Sequence, residues 1–266
     1  VFLPEILLQI PKVGRNWATI RHTATIGGRT KQKPARRPMG RLWRALGHDA
    51  VMFRLAGALV RAFLVVVLIA MPSLMLPGVS SDAAQIVALV ALFAAALTFF
   101  EYQSTYPGLV EFRDAPPFNR IRFGSLFLTV FLLTMIARGE HDPSVLSQFI
   151  TAVGALIGQV IDFPYSPVRL VVLMLPEDTG MDHLSTVRTA AGISYLVSLL
   201  TLAVFLIVLR IKGWPNREGM FNVWVNLPTF DPTAGGDVVE RLERDARITI
   251  ALGFLLPFLT PAVIKA

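Results

Sequence analysis

The sequence contains no cysteine among its 266 residues. Disulfides, thiolate metal sites, iron–sulfur clusters and cysteine nucleophiles are therefore excluded. Histidine is scarce as well, since His22, His48, His141 and His183 are the only four, and all lie in predicted loops or tails. A haem inside a bilayer generally needs a histidine within a span. No cofactor is predicted.

Two His–Asp pairs leave one metal alternative open. The pairs are His141/Asp142 and Asp182/His183, and they would share a metal ion only if their two loops meet. Solvated loop residues of this kind are far commoner than metal ligands. No metal site is therefore predicted.

Short catalytic and nucleotide-binding signatures are also missing. The sequence has no P-loop, GxGxxG, GxSxG or HExxH pattern, and no carboxylate-rich phosphoryl-transfer motif. Enzymes embedded in membranes can lack such signatures. An enzyme is therefore disfavoured rather than excluded.

Charged residues are few, and long apolar runs take their place. Charged residues make up 16% of the chain and hydrophobic residues 54%, with a mean hydropathy of +0.59. Several runs reach the roughly 20 residues needed to span about 30 Å of hydrocarbon. We therefore predict an all-α fold, a polytopic membrane helix bundle of five or six transmembrane segments with short loops.

The positive charge is concentrated at the N-terminus. Residues 1–50 carry ten Lys and Arg against Glu5 and Asp49, a net of +8, and the remainder is near neutral at −1. Several Pro and Gly residues argue against regular structure there. We predict a basic, largely irregular segment at 1–50 and the membrane bundle at 51–266. Contacts with anionic lipid or a partner surface are expected from Arg36, Arg37, Arg41 and Arg44.

Two interpretations of this basic segment compete, nucleic-acid binding and a tail at the membrane surface. Nucleic-acid binding needs a folded reader or interleaved aromatics, and only Trp17 and Trp43 are available. A topogenic tail near anionic headgroups is preferred, so nucleic acid is not an expected partner. The positive-inside rule then places the N-terminus in the cytoplasm. Arginine outnumbers lysine 20 to 5 and alanine is abundant, which fits a GC-rich bacterial genome. With the apolar runs, this predicts a location in a bacterial inner membrane.

An apolar stretch at 144–176 is broken near its middle. Pro164 and Pro167 interrupt the helix, and the second run, 168–175, is too short to cross a bilayer. If the stretch crosses once, six spans place 18 Lys and Arg inside against 7 outside. If it returns to the side it came from, five spans place 21 inside against 4 outside. The second count favours a re-entrant element and puts a loop and amphipathic helix, about 210–247, in the cytoplasm.

Two carboxylates lie in or beside predicted spans, where ionisable groups are functional candidates. Asp162 adjoins the helix break and Glu101 ends the second span. Both are candidates for an ion or proton site, because transporters build such sites from discontinuous helices. The structural alternatives are that Asp162 pairs with Arg169 or caps the break, and that Glu101 lies among the headgroups. Few other polar groups lie at membrane depth, which disfavours a translocation path.

Small residues at helical spacing predict close helix packing. Gly154 and Gly158 form a small-xxx-small pair, and the second span has an alanine face. Such faces pack inside the bundle or against a partner subunit. The alanines are Ala84, Ala88, Ala91 and Ala95.

These features together favour a non-catalytic multi-pass protein. It would act as an accessory, assembly or scaffold subunit of a larger membrane protein complex, with anionic lipids and other membrane subunits as partners. Two alternatives stay open. One is a small transporter or channel with a site at Asp162, and the other is a membrane-embedded enzyme acting on lipid.

Overall fold

The computed structural model describes residues 39–106, 108–113, 117–212, 226–231, 233 and 235–265. In this part of the chain seven helices and no strands are found, so the all-α prediction is confirmed there. The helices are α1 (Met39–Met75), α2 (Ser81–Gln103), α3 (Phe118–Gly139), α4 (Val145–Ile161), α5 (Pro167–Leu173), α6 (Met181–Lys212) and α7 (Val238–Lys265).

Contacts divide the chain into two units, Val1–Arg44 and Ala45–Ala266. Most of the first unit lies outside the described residues. The boundary predicted at residue 50 stays a prediction, and so does the irregular character of the basic segment.

Four helices are long and apolar enough to cross a membrane, in the ranges that the structure describes. They are Met52–Met75, Ser81–Gln103, Phe118–Gly139 and Met181–Ile211. Their surfaces are mostly open, since only 6% of the apolar window of α2 and 17% of each of the other three are buried. Apolar surface left exposed on this scale is typical of a lipid-facing or partner-facing bundle.

Polar side chains cap the N-termini of several helices. Ser80 accepts a hydrogen bond from the backbone N–H of Ala83 at the start of α2. Ser144 and Ser147 form a reciprocal capping box at the start of α4. Asp237 accepts from the N–H of Val239 at 2.8 Å and caps α7. Each cap satisfies backbone donors that a helix start leaves without partners.

The break in the stretch 144–176 is present between α4 and α5. The chain leaves α4 at Ile161, and α5 begins at Pro167 behind the N-cap Ser166, whose hydroxyl accepts from the N–H of Arg169. Tyr165 adopts a left-handed backbone with φ of 66°. That conformation costs about 1–2 kcal/mol for a residue other than glycine. Its presence fits a turn that the surrounding contacts hold in place.

The last helix combines a charged and an apolar part. The charged segment near 238–249 and the apolar run after it form one continuous helix, α7. Pro257 and Pro261 lie inside it, and the helix continues through both.

A small core joins α3, α4 and α6. It consists of Met135, Ile136, Ile150, Ile193 and Val197. The two longer helices run antiparallel, because Ser125 of α3 bonds Thr201 of α6 while Glu140, just after α3, bonds Thr186. This three-helix core holds α4, and with it the break, against α6.

Candidate functional site

Asp162 lies at the C-terminal end of α4 and contacts two arginines. Its Oδ1 is 2.8 Å from Nε of Arg169, and its Oδ2 is 2.8 Å from Nε of Arg188. The carboxylate side chain is 8% exposed. Arg169 comes from α5, directly after the break, and Arg188 from the second turn of α6. The Asp162 cluster, meaning these three residues, therefore ties both sides of the break to a neighbouring helix.

The contacts of the Asp162 cluster are ion pairs rather than well-aligned hydrogen bonds. Oδ1 of Asp162 and Nε of Arg188 lack hydrogen-bond geometry in spite of the 2.8 Å separations. Arg169 also donates from Nη2 to the backbone carbonyl of Asp162 at 3.4 Å. Two cations facing one carboxylate leave the cluster with a net positive charge. Such a site repels a further cation.

Glycines bring α4 into backbone contact with α6. A Cβ at Gly158 would lie 2.6 Å from the carbonyl oxygen of Arg188, and one at Gly154 would lie 2.7 Å from Cγ1 of Ile193. A Cβ at Gly192 of α6 would in turn lie 2.6 Å from the backbone nitrogen of Gly158. Real Cβ atoms do not approach so closely. The small-xxx-small pair thus packs inside the bundle, against a glycine on the opposing helix.

Glu101 has backbone partners in the loop that follows α2. Its Oε1 accepts from the N–H groups of Gly108, Leu109 and Val110 at 2.8, 2.8 and 2.9 Å. The residue is 9% exposed. A carboxylate that accepts three backbone donors holds a loop in one conformation. The partners of Glu101 and of Asp162 are therefore different, and the two carboxylates do not form one site.

Arg113 reinforces the same loop from the other side. Its Nη1 donates to the carbonyls of Glu101 and Ser104, and its Nη2 donates to the carbonyl of Thr105. Sequence reasoning missed this residue, because Arg113 lies ten residues beyond the end of α2 and only the folded loop brings it to the last carbonyls.

The alanine face of α2 is only partly covered by the rest of the described chain. Ala91 is 1% exposed, Ala84 and Ala95 are half-buried, and Ala88 is exposed. Part of this face thus already packs within the bundle. The part around Ala88 stays open to a neighbour.

The predicted contacts of the basic segment lie beyond what is described. Arg36 and Arg37 fall outside the described residues, and the side chains of Arg41 and Arg44 are likewise not described. Their contacts with anionic lipid or a partner stay predictions.

A search of the described residues finds no group of three or more His, Cys, Asp or Glu side chains that would hold a metal ion. Asp142, part of one predicted His–Asp pair, instead contacts Nη2 of Arg138 at 2.7 Å. Comparison with family models, with curated proteins and with solved structures gives no match. Function must therefore be argued from the chain itself.

Proposed function

We propose that this chain is a non-catalytic multi-pass membrane protein that serves as an accessory, assembly or scaffold subunit of a larger membrane protein complex. The observation that carries the proposal is the exposed Ala88 on the alanine face of α2, whose other three alanines are buried or half-buried. Small residues allow the backbone of another helix to approach closely, whereas lipid-facing positions are generally large and apolar. The low buried share of α2, 6%, leaves room for a partner helix there.

The geometry at Asp162 supports this proposal over a transporter or channel. A carboxylate that binds and releases a cation needs an open coordination sphere or water access. Asp162 instead meets Arg169 and Arg188 at 2.8 Å and is 8% exposed. Such an arrangement suits a structural link between helices.

The contacts around α6 also support a re-entrant path for the stretch 144–176. Glu140, five residues before α4, accepts from Oγ1 of Thr186 at 2.7 Å, and Asp162 at the end of α4 meets Arg188. Thr186 and Arg188 are separated by a helical rise of about 3 Å. The entry to α4 and its exit thus lie near the same end of α6, as re-entry requires. We propose five spans, namely the four long apolar helices and the apolar part of α7, with a cytoplasmic N-terminus and a place in a bacterial inner membrane.

The association is tested by the native mass of the protein extracted from its own membranes in mild detergent. Wild type should migrate as a complex with a stoichiometric companion protein. Ala88→Leu should release the companion, because the added isobutyl group fills the space that the partner helix occupies.

Leu89→Val is the matched control, since Leu89 is 72% exposed. It follows Ala88 directly in the helix, so its side chain lies on a different side of α2. This control should keep the companion. A wild-type protein that runs alone, or that pairs only with a second copy of itself, would overturn the proposed function.

A further inference from the structure

We propose that a pocket between α1, α2 and α3 binds the phosphate of an anionic phospholipid, with the upper part of an acyl chain lying below it. The pocket lies within one of the two units and has a volume of about 500 Å³. Its lining residues are Arg61, Leu64, Val65, Thr98, Tyr102, Phe112, Arg113, Asn119, Arg120 and Phe123. The inference is independent of the proposed scaffold role.

The charge of the pocket is strongly one-sided. Three guanidinium groups line it, from Arg61, Arg113 and Arg120, and no carboxylate is found among its described lining residues. Guanidinium groups recognise phosphate through paired N–H donors. Arg113 already donates to the carbonyls of Glu101, Ser104 and Thr105 and interacts with the Glu101 carboxylate, so it contributes mainly positive charge. The donors offered to the oxygens of an anion come mainly from Arg61 and Arg120.

Two of the three arginines are held in place by the protein. Arg61 donates from Nη1 to the carbonyl of Gly57 at 2.8 Å, and its guanidinium lies 4.5 Å from the ring centroid of Tyr102. Arg113 is fixed by the carbonyls at the end of α2. A binding site whose cations are already positioned loses less conformational entropy when it takes up a ligand.

Arg120 differs from the other two. In the described part of the chain its guanidinium makes no hydrogen bond, ion pair or aromatic contact, whereas Arg61 contacts Gly57 and Tyr102 and Arg113 contacts three carbonyls. Arg120 is also exposed, so it can meet a ligand without giving up an existing contact.

The lining of the pocket changes from cationic to apolar in the same direction along α1 and α3. On α1 Arg61 is followed one turn later by Leu64 and Val65, and on α3 Arg120 is followed by Phe123. On α2, which runs the other way, Tyr102 lies at the end and Thr98 one turn further in. A cationic rim above an apolar floor matches a phospholipid, which has an anionic head above an acyl chain.

The position along the spans agrees with this assignment. Tyr102 is the penultimate residue of α2, and Asn119 is the second residue of α3. Tyrosine at the end of a span is typical of the membrane interface. The ends of α2 and α3 therefore place the rim at headgroup level. Arg61 lies nine residues inside the span of α1, and its guanidinium reaches the same level over the Tyr102 ring. A free anion would not need the apolar residues below.

The test uses the full-length protein in neutral nanodiscs of phosphatidylcholine, titrated with a spin-labelled or fluorescent phosphatidylglycerol. We expect saturable binding of phosphatidylglycerol that an equal excess of phosphatidylcholine does not displace. Arg120→Gln should weaken it about tenfold, as the loss of one charge-assisted hydrogen bond predicts. Arg122→Gln is the matched control, because Arg122 is exposed on the same helix and does not line the pocket. It should leave binding within about twofold.

Three results would overturn the proposal. One is equal affinity for the neutral and the anionic lipid, and another is an equal loss in the two arginine variants. The third is displacement of phosphatidylglycerol by millimolar inorganic phosphate, which would mean that the pocket takes a free anion. Because Arg120 is exposed, its variant should fold, and an unchanged elution volume and helical circular dichroism will show this.

Discussion

Asp162, at the end of α4 beside the break, contacts Arg188 of α6, with Oδ2 of Asp162 2.8 Å from Nε of Arg188. Twenty-six positions separate them in the chain. Directly beside this contact, the backbone of α4 at Gly158 reaches the backbone of α6 at Arg188. A carboxylate with these contacts holds the break against α6.

Asp162→Asn should lower the free energy of unfolding by about 1–3 kcal/mol, because it leaves two partly buried guanidinium groups without their counter-charge. This loss of stability is smaller than that for a fully buried ion pair, since the side chains of Arg169 and Arg188 are 39% and 28% exposed. Unfolding by SDS in mixed micelles, followed by circular dichroism, measures it.

Asp182→Asn is the control for this loss, because Asp182 lies exposed in the first turn of the same helix, α6. It should change stability by less than about 0.5 kcal/mol. A folded Asp162→Asn protein of wild-type stability that loses an ion flux present in wild-type proteoliposomes would instead support the transporter alternative.

Gly158→Ala should destabilise the bundle by about 1–3 kcal/mol, the usual cost of overpacking. Its new methyl group would meet the carbonyl of Arg188 at 2.6 Å, and backbone cannot move aside as a flexible side chain can. The same SDS titration provides the measurement.

Gly124→Ala makes the same chemical change in α3 with nothing within 4 Å of the new atom. Since alanine is a better helix former than glycine by about 1 kcal/mol, this control should be neutral or slightly stabilising. Equal losses at both glycines would show that the close crossing of α4 and α6 is absent.

The sequence could predict the long apolar helices and the break, but only one of the two arginines in the Asp162 cluster. Apolar runs locate α1, α2, α3 and α6, and Pro164 with Pro167 marks the break. Arg169 is near enough in sequence to be named as a partner of Asp162. Arg188 is not, because only the folding of α4 onto α6 brings it close.

Other sites show the same limit. The spacing of Gly154 and Gly158 predicts a packing face. Gly192, a single glycine in an apolar helix, does not reveal that it is the residue packed against this face. The course of α7 through Pro257 and Pro261 could not be predicted from the sequence, because a proline within a helical pattern generally predicts a kink or a helix end. The local sequence pattern therefore locates the helices. Which helices and side chains contact one another depends on the tertiary fold.

Glu101→Gln should loosen the loop after α2. The amide side chain keeps an acceptor oxygen but loses the charge that strengthens its bonds to the N–H groups of Gly108, Leu109 and Val110. Hydrogen–deuterium exchange of these three amides should accelerate about tenfold, as a loss of about 1.4 kcal/mol implies.

Glu111→Gln serves as the comparison for the loop. Glu111 meets Thr229 through a single exposed contact at 3.3 Å, so its neutralisation should leave the exchange of the three amides unchanged. Wild-type exchange rates in Glu101→Gln would count against the three-donor arrangement.

Cysteine labelling in intact cells tests the re-entrant path, and the chain supplies a cysteine-free background. Ser185→Cys, on the exposed first turns of α6, should react with a membrane-impermeant maleimide. Ala246→Cys, in the charged part of α7, should react only after the cells are opened. The six-span path predicts the reverse pattern, so the two variants decide between the paths in one experiment.

The most direct test of the scaffold account is photo-cross-linking in living cells with p-benzoylphenylalanine at position 88, on the open part of the α2 alanine face. We expect one discrete adduct with a different membrane protein from position 88, and a much weaker adduct from position 89. Adducts with lipid alone, or with a second copy of this chain alone, would contradict it.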